Sequence, residues 1–263
     1  MASSSGNYGP LPGSPRPRSS GLVSHGRWKF VRRLVDFRQM DFEMALHQML
    51  YLIISPSRVY RSFKYQKNTK NQWARDDPAF LVLLAFFLTI SSVCCALVFG
   101  LHFGQLLELV LWVIFVDCIG VGLIISTGLW FFSNRFLVAP AMSQYVEQTV
   151  ELGYAFDVHC NAFFPVVLVL HCIQIALISV VSQPWFISVV LADTLWLLAL
   201  VYYIYITFLG YSSLPFLHRT EIYLYPIAGV VVLYWVAILT RWNVSMSVFR
   251  YYGFHHNYPP LQT

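Results

Sequence analysis

The chain has 263 residues, of which 57% are apolar and only 11% are charged, and its formal net charge is +5. Soluble domains carry about 25% charged residues, so this composition excludes an ordinary soluble protein. A mean hydropathy of +0.60 and several long apolar runs predict an all-α polytopic membrane protein with a polar N-terminal region.

Residues 1–26 are rich in Ser, Gly, Pro and Arg and contain no apolar core of the kind found in a secretory signal peptide. We expect a disordered tail here, because so few apolar groups cannot offset the entropy of folding. The five cysteines lie in or beside apolar runs, so we expect no structural disulfide.

Residues 27–78 form a basic region that is predicted to hold interfacial amphipathic helices. The stretch DFEMALHQMLYLII begins at Asp41, a predicted N-cap, and has an apolar stripe at helical spacing. The stripe consists of Phe42, Leu46, Met49 and Ile53. Since about 14 residues cannot cross a bilayer, this helix is expected at the membrane interface or docked on the bundle.

A second short helix is predicted after Ser55, with Pro56 at its first position, and basic residues follow from there toward the first span. These are Arg58, Arg61, Lys64, Lys67 and Lys70. Basic side chains interleaved with aromatic ones suit anionic lipids, an acidic protein surface or RNA. The sequence therefore predicts a partner- or lipid-binding surface, unless the net acidic loop at 133–160 binds it within the molecule.

The stretch NQWARDDPAFLVLL places charged residues directly before the first apolar run. Asp77 is a predicted N-cap, and Pro78 stands at the first helical position, where its missing N–H costs nothing. Carboxylates are also stabilised at the positive end of a helix dipole. Because the adjacent Asp76 and Asp77 would point in different directions and have no third ligand nearby, we interpret the pair as a helix cap rather than a metal or catalytic site.

Five segments are long and apolar enough to cross about 30 Å of hydrocarbon as helices. They cover residues 79–101, 106–132, 162–182, 186–209 and 222–240. Helices are expected because backbone groups in lipid must be hydrogen-bonded within their own segment or in a closed barrel. The sequence thus predicts a five-helix transmembrane domain at 79–240 and a C-terminal tail at 241–263.

The distribution of basic residues predicts the orientation of the chain. Of the 17 Lys and Arg residues, 13 precede residue 79. With the N-terminus in the cytosol, Arg135 and Arg219 are also cytosolic, and only Arg241 and Arg250 lie on the other side. Positive residues are retained on the cytosolic side, so the N-terminus is predicted to be cytosolic and the C-terminus luminal.

Asp117 lies near the centre of the second predicted span, where an unpaired carboxylate costs at least ~3 kcal/mol. His171, Gln174 and Asp193 in the third and fourth spans are available partners. We predict an interhelical polar clamp, worth ~0.6 to 2 kcal/mol per contact. The alternative is a proton or ion relay in a small transporter or intramembrane enzyme that uses Asp117, His171 and Asp193, although the chain lacks the repeats typical of transporters.

Two stretches contain metal-ligating residue types. FDVHCN includes Asp157, His159 and Cys160, and His255 and His256 form a pair near the C-terminus. A structural zinc site needs four ligands, commonly in Cys or His pairs, and no second pair stands near FDVHCN. We interpret FDVHCN as a polar cap at the start of the third span and expect no metal or other cofactor.

Several stretches of the chain occur in the same order in a known family. They include FRQMDFE, SPSRVYRSFKYQKNTKNQWARDDPAFLVL, LWVIFVDCIGVGL, GYAFDVHCNAF and TLWLLALVYYIYITFLGYSSLPFL. From about residue 28 to 250 the chain resembles the uncoordinated-fifty family of Golgi multi-pass membrane proteins. The resemblance implies a non-enzymatic trafficking factor that works with large Arf guanine-nucleotide exchange factors at the cytosolic face. It also implies a role in the transport of cell-surface receptors such as nicotinic acetylcholine receptors.

A tag fused to the C-terminus is expected to be protected from protease in sealed microsomes, because five spans and a cytosolic N-terminus put it in the lumen. A tag at the N-terminus serves as the control and should be digested. Digestion of the C-terminal tag without detergent would contradict this topology.

Overall fold

The structure, a computed structural model, describes residues 40–61, 73–75, 77–138 and 149–252. Within these ranges the chain is built from helices, and five of them are long and apolar enough to cross a membrane. The elements are α1 (Phe42–Ile54), α2 (Ala79–Phe99), α3 (Phe103–Leu137), α4 (Leu152–Ala176), α5 (Phe186–Ser212), α6 (Thr220–Thr240) and α7 (Val244–Tyr251). The prediction of an all-α polytopic protein with five spans is confirmed.

The start of the third span differs from the prediction. Helix α4 begins at Leu152 rather than at residue 162, so the polar stretch FDVHCN is part of the helix. Of the five spans, α4 is the most buried: 61% of the residues in its most apolar 18-residue stretch lie inside the bundle, against 17–33% in the other four spans. Within FDVHCN and just after it, Asp157, His159 and Asn161 are hydrogen-bonded inside the bundle and do not need to lie at the membrane surface.

Helix α4 lies between α3 and α5 and approaches both of them at a glycine. A Cβ atom added at Gly210 of α5 would lie 2.8 Å from the methyl groups of Val158, and one added at Gly122 of α3 would lie 2.5 Å from the ring of His159. Real Cβ atoms do not come so close to their neighbours. Small residues at these two contacts allow the helices to pack closely, which is a common arrangement in membrane bundles.

Helix α1 is docked on the bundle by a face that only partly matches the predicted stripe, since Phe42 and Met49 pack on the bundle and Leu46 and Ile53 do not. Its N-cap is confirmed, since Asp41 Oδ1 accepts a hydrogen bond from the Met44 N–H (2.9 Å). The buried residues are Ala45, Met49 and Leu52, whereas Leu46 and Ile53 of the predicted stripe are 48% and 46% exposed. Apolar residues thus cover two sides of α1, one packed on the bundle and one open, as fits a helix at a membrane interface.

The end of the bundle that contains Asp77, Glu151 and Ser212 is called the near end, and the end that contains Phe99, Phe186 and Thr240 is called the far end. Each of these residues is the first or last residue of a span or lies within two residues of its start.

At the far end, helix α7 folds back onto the bundle. Asn243 caps it, with Oδ1 accepting from the Met246 N–H (3.0 Å) and Nδ2 donating to the Val181 carbonyl (3.0 Å). Asp193 Oδ1 of α5 accepts from the Val244 N–H (3.1 Å). Residues 241–252 of the predicted tail are therefore part of the packed bundle, and residues 253–263 lie outside the described residues.

Asn243 is the acceptor position of an Asn-Val-Ser glycosylation sequon, and we expect it to carry no glycan. Its side chain is 5% exposed, and both ends of its amide are hydrogen-bonded. Asn243→Ala should leave electrophoretic mobility unchanged. It should lower the free energy of unfolding by about 1 kcal/mol, because the helix loses its N-cap. A new sequon appended beyond the C-terminus on a flexible linker controls for luminal exposure. A glycosidase-sensitive shift that disappears in Asn243→Ala would contradict the prediction.

Candidate functional site: a polar junction beside the basic segment

The main chain before α2 is bound by two carboxylates of α4 and its N-cap. The N–H groups of Trp73 and Ala74 donate to Glu151 Oε1 and Oε2 (3.3 and 3.2 Å). The Arg75 N–H donates to Asp157 Oδ2 (2.7 Å). Charge-assisted hydrogen bonds of this kind are stronger than neutral ones. Residues 73–75 with Glu151, Asp157 and Asn161 are called the polar junction.

The Arg75 side chain lies inside this junction. Its guanidinium donates to Asn161 Oδ1 and lies 4.1 Å from the centroid of the Phe80 ring, in a cation–π contact. Asn161, which is fully buried, donates in turn to the Tyr60 hydroxyl (3.4 Å). Burial raises the pKa of Tyr60, so this hydroxyl stays protonated at neutral pH. The junction therefore connects the short helical stretch before it, at Tyr60, with α2 and α4.

The sequence Gly153-Tyr154 explains how the junction is fitted to α4 and α5. A Cβ at Gly153 would lie 3.1 Å from the Cβ of Ala74, so glycine permits the close approach of the docked segment. The Tyr154 hydroxyl donates to the Gly210 carbonyl of α5 (2.7 Å). The ring of Trp73 packs on Tyr154 with a centroid distance of 6.0 Å. These contacts join three parts of the chain at the near end.

The predicted helix cap at Asp77 and Pro78 is displaced by one residue. Helix α2 begins at Ala79, and Pro78 occupies the N-cap position, with Asp77 before it. Asp77 Oδ1 still accepts from the Ala79 N–H (3.0 Å). Its other oxygen accepts from the Asp41 N–H (2.8 Å), so Asp77 links the starts of α1 and α2.

Two of the five predicted partner-binding residues lie in the described part of the chain. Residues 56–61 are helical, and Arg58 and Arg61 are exposed on them. Between them, Val59 and Tyr60 are 4% and 3% exposed. The remaining three, Lys64, Lys67 and Lys70, lie outside the described residues.

The net acidic loop had offered an alternative, an intramolecular site for the basic residues. Glu151 and Asp157 instead bind the backbone of residues 73–75, and Asp157 lies beside Arg75. The main chain of the docked segment thus uses these two carboxylates. Arg58 and Arg61 remain at the surface of the near end.

The hydrogen-bond partner of Asp117 is a residue that the sequence did not indicate. The Tyr252 hydroxyl, just after α7, donates to Asp117 Oδ2 (2.6 Å), whereas the predicted partners were in the third and fourth spans. Burial raises the pKa of Tyr252, so the phenol is the donor. The reason for the difference is that α7 folds back into the bundle and brings Tyr252 to α3.

The other three predicted clamp residues occupy separate positions. His171 Nδ1 is hydrogen-bonded with the Ser91 hydroxyl (3.3 Å), and Asp193 holds the start of α7. Gln174 Oε1 is buried and has no hydrogen-bond partner within the described ranges. A cavity of about 340 Å³ is lined by Asp117, His171 and Gln174 but not by Asp193. The four residues therefore do not form one clamp.

The FDVHCN stretch is a buried helical segment and not a polar cap at the membrane surface. His159 Nδ1 is hydrogen-bonded with the Tyr203 hydroxyl (2.8 Å), and Nε2 with the Cys118 carbonyl (3.1 Å). Asp157 binds the junction. In the described part of the chain, no group of three or more His, Cys, Asp or Glu is arranged to hold a metal. His255 and His256 lie outside the described residues.

The sequence indicated Glu151 and Asp157 only as part of a net acidic loop that could bind the basic residues, whereas they bind the main chain of residues 73–75. Sequence reasoning missed Asn161 and Tyr252. One signal was present in the sequence. Arg75 and Asp157 have opposite charges and lie at the starts of the first and third apolar segments. Such a pair predicts contact if both spans begin at the same membrane surface. Tyr252 had no local signal, because its partner is 135 residues away.

The fold and its polar interior define a polytopic integral membrane protein with an N-terminal helix docked at one end. The UNC-50 family model matches residues 30–253, a range that includes all seven helices. The chain is 52% identical over 242 residues to the Protein unc-50 homolog of Bos taurus, covering 92% of each chain. It is 52% identical over 225 residues to Protein unc-50 of Caenorhabditis elegans, covering 85% of this chain and 73% of the relative. No solved structure gives a significant match.

The chain therefore belongs to the UNC-50 family, as its sequence motifs predicted.

Arg75→Met is expected to lower the free energy of unfolding by about 2 kcal/mol, because it removes the charged donor to Asn161 Oδ1 and the positive charge near Asp157. Asp157→Asn should cost less, since the amide oxygen can still accept from the Arg75 N–H. Arg135→Met, at an exposed position of the near end, is the matched control. Thermal unfolding of purified variants in detergent measures all three. Equal stability of Arg75→Met and Arg135→Met would contradict the role of the junction.

Proposed function

We propose that this protein is a non-enzymatic trafficking factor of the Golgi membrane whose near end faces the cytosol and recruits a large Arf guanine-nucleotide exchange factor. The class of partner follows from the family resemblance. The surface assigned to it is the basic segment, residues 58–70, beginning with Arg58 and Arg61. Transport of receptors to the cell surface would follow from correct Arf activation at this membrane.

The observation that carries the proposal is the way in which the basic segment is held. Before it, Tyr60 is buried, hydrogen-bonded to Asn161, and would lie 3.3 Å from a Cβ at Gly210. After it, residues 73–75 are bound to α4 and its N-cap. Arg58 and Arg61 thus lie on a short helical stretch that is anchored to the bundle through Tyr60. Side chains on an anchored helix lose less conformational entropy on binding a partner than those of a free tail do.

The charge distribution supports a cytosolic position for this surface. Arg135 lies in the last turn of α3, and Arg219 directly precedes α6, both at the near end. With Arg58 and Arg61, four described arginines other than Arg75 lie on this side. Each basic group near an anionic leaflet contributes about 1 kcal/mol of attraction. The bilayer and an acidic surface of the exchange factor would therefore bind to the same side of the protein.

The alternative of a transporter or intramembrane enzyme built on Asp117, His171 and Asp193 is less well supported. Asp193 binds the Val244 N–H at the start of α7 and does not line the cavity that contains the other two. A relay needs a chain of groups within hydrogen-bonding reach of one another, and these three have separate partners.

The double variant Arg58→Glu/Arg61→Glu should insert normally, because α2 supplies the hydrophobicity of the first span, and it should reduce the membrane-bound fraction of the exchange factor severalfold. Each reversal replaces an attraction to an acidic partner surface by a repulsion. The matched control is Arg135→Glu/Arg219→Glu, which makes the same charge change at the same end. Fractionation and imaging of cells that express only the variant measure both localisation and recruitment.

If the Arg58→Glu/Arg61→Glu protein reaches the Golgi and the membrane-bound fraction of the exchange factor is unchanged, the basic segment is not the recruitment surface. If both double variants reduce recruitment equally, the effect is one of general charge, and the assignment to the basic segment is wrong.

A further inference from the structure

The cavity that contains Asp117 and Gln174 has the properties of a ligand site within the membrane. Its volume of about 340 Å³ falls in the range of small-molecule sites, about 300–1,000 Å³. Helices α3, α4 and α5 supply most of its wall, and α2 and α7 supply the rest. Most of the lining side chains are aliphatic or aromatic, so the body of a ligand that fits here is apolar.

Among the described residues that line this cavity, Gln174 is the one with a buried side-chain oxygen that has no hydrogen-bond partner. Its side chain is 2% exposed, and Oε1 accepts no hydrogen bond from any described residue. An unsatisfied buried acceptor costs about 1–3 kcal/mol. Asp117 Oδ2 and His171 Nδ1, in the same wall, are already bonded to Tyr252 and Ser91. Gln174 Oε1 is therefore the buried acceptor of this wall that a ligand's donor would satisfy, and since Oε1 is closed off from the cavity, the Gln174 side chain would rotate to meet that donor.

The surroundings of the cavity indicate that its ligand comes from the bilayer. A second depression lies between α2 and α4 on the outer face of the bundle, and it shares His171 and Ile175 with the cavity. Its wall includes Ile90 and Val98, which are 43% and 39% exposed. An apolar molecule in the lipid around α2 and α4 thus lies only one side chain away from the cavity.

The charges of the wall restrict the polar group of the ligand. Among the described residues that line the cavity there is no Lys or Arg, so a phosphate group would be buried without a counter-charge, at a large cost. We propose that this cavity binds a bilayer lipid whose polar part is an uncharged hydroxyl, which donates a hydrogen bond to Gln174 Oε1. Sterols and diacylglycerols both have this chemistry. The proposal goes beyond the trafficking function and does not depend on it.

The test uses the purified full-length protein in phosphatidylcholine nanodiscs with two diazirine-bearing probes, a sterol and a diacylglycerol. Labelled positions are mapped by mass spectrometry. The expected result is labelling of cavity residues on α3, α4 or α5, with competition by the same lipid without the diazirine. The probe that labels the cavity identifies the source of the hydroxyl group, and labelling by both means that the site recognises the shared chemistry.

Gln174→Leu should weaken cavity labelling about 2- to 10-fold, the effect of one lost hydrogen bond, and it should fold normally, because Oε1 has no internal partner to lose. Val113→Phe and Val121→Phe, which fill the cavity from α3, should abolish labelling. The matched control is Gln183→Leu at an exposed amide outside the cavity. It should label as the unmodified protein does.

Three results would overturn the proposal. Labelling confined to lipid-facing positions would show only the lipid around the bundle. Cavity labelling that Gln174→Leu leaves unchanged would remove the assigned acceptor. A third diazirine-bearing probe, a single-chain amine, tests for a cation site. If it labels the cavity more strongly than the other two probes and loses this labelling in Asp117→Asn, the site is a cation site at Asp117 instead. If neither phenylalanine variant is monodisperse, the comparison of Gln174→Leu with Gln183→Leu decides the question alone.

Discussion

The arrangement of the near end depends on the binding of residues 73–75 to Glu151 and Asp157. A carboxylate inside a membrane bundle needs a partner. Asp157 Oδ2 accepts a hydrogen bond from the Arg75 N–H, and the positive charge of Arg75 lies nearby. Arg75 in turn holds Asn161, which contacts Tyr60. The position of the segment before α2, and with it the base from which Arg58 and Arg61 extend, follows from this one interaction.

Helix α4 connects the two regions to which we assign binding. Its first turns carry Asp157 and Asn161 of the polar junction, and its last turns carry His171 and Gln174 of the cavity. The separation from residue 157 to 174 is about 26 Å at helical rise. The two proposed sites are therefore built on opposite ends of the most buried span. The polar residues of both sites make α4 less apolar than the other four spans, with a mean hydropathy of 1.7 against 2.0 to 2.7.

Features set by neighbouring residues could be predicted from the sequence, and features set by distant partners could not. Continuous apolar runs predicted five spans, and Asp41 was correctly predicted as the N-cap of α1. The start of α4 was missed because its polar residues have distant partners: Arg75 binds Asp157 from 82 residues away, and Tyr203 binds His159 from 44 residues away. A hydropathy scale assigns polar residues to exposed positions whether or not they have a buried partner. In the same way, an isolated Asp117 predicts a buried partner but does not identify Tyr252, which depends on how α7 folds back.

The most direct test of this account is an engineered cysteine pair, Ala74→Cys/Gly153→Cys, at the close contact between the docked segment and α4. The two Cβ positions are 3.1 Å apart, near the range of about 3.5–4.5 Å for a disulfide. Rapid formation of an intramolecular disulfide is predicted when copper phenanthroline is added as the oxidant to isolated native membranes, with recruitment of the exchange factor retained. The control pair Ala74→Cys/Leu152→Cys uses an exposed position and should not cross-link. Failure of the first pair to cross-link in folded protein would contradict the docking on which the proposed surface depends.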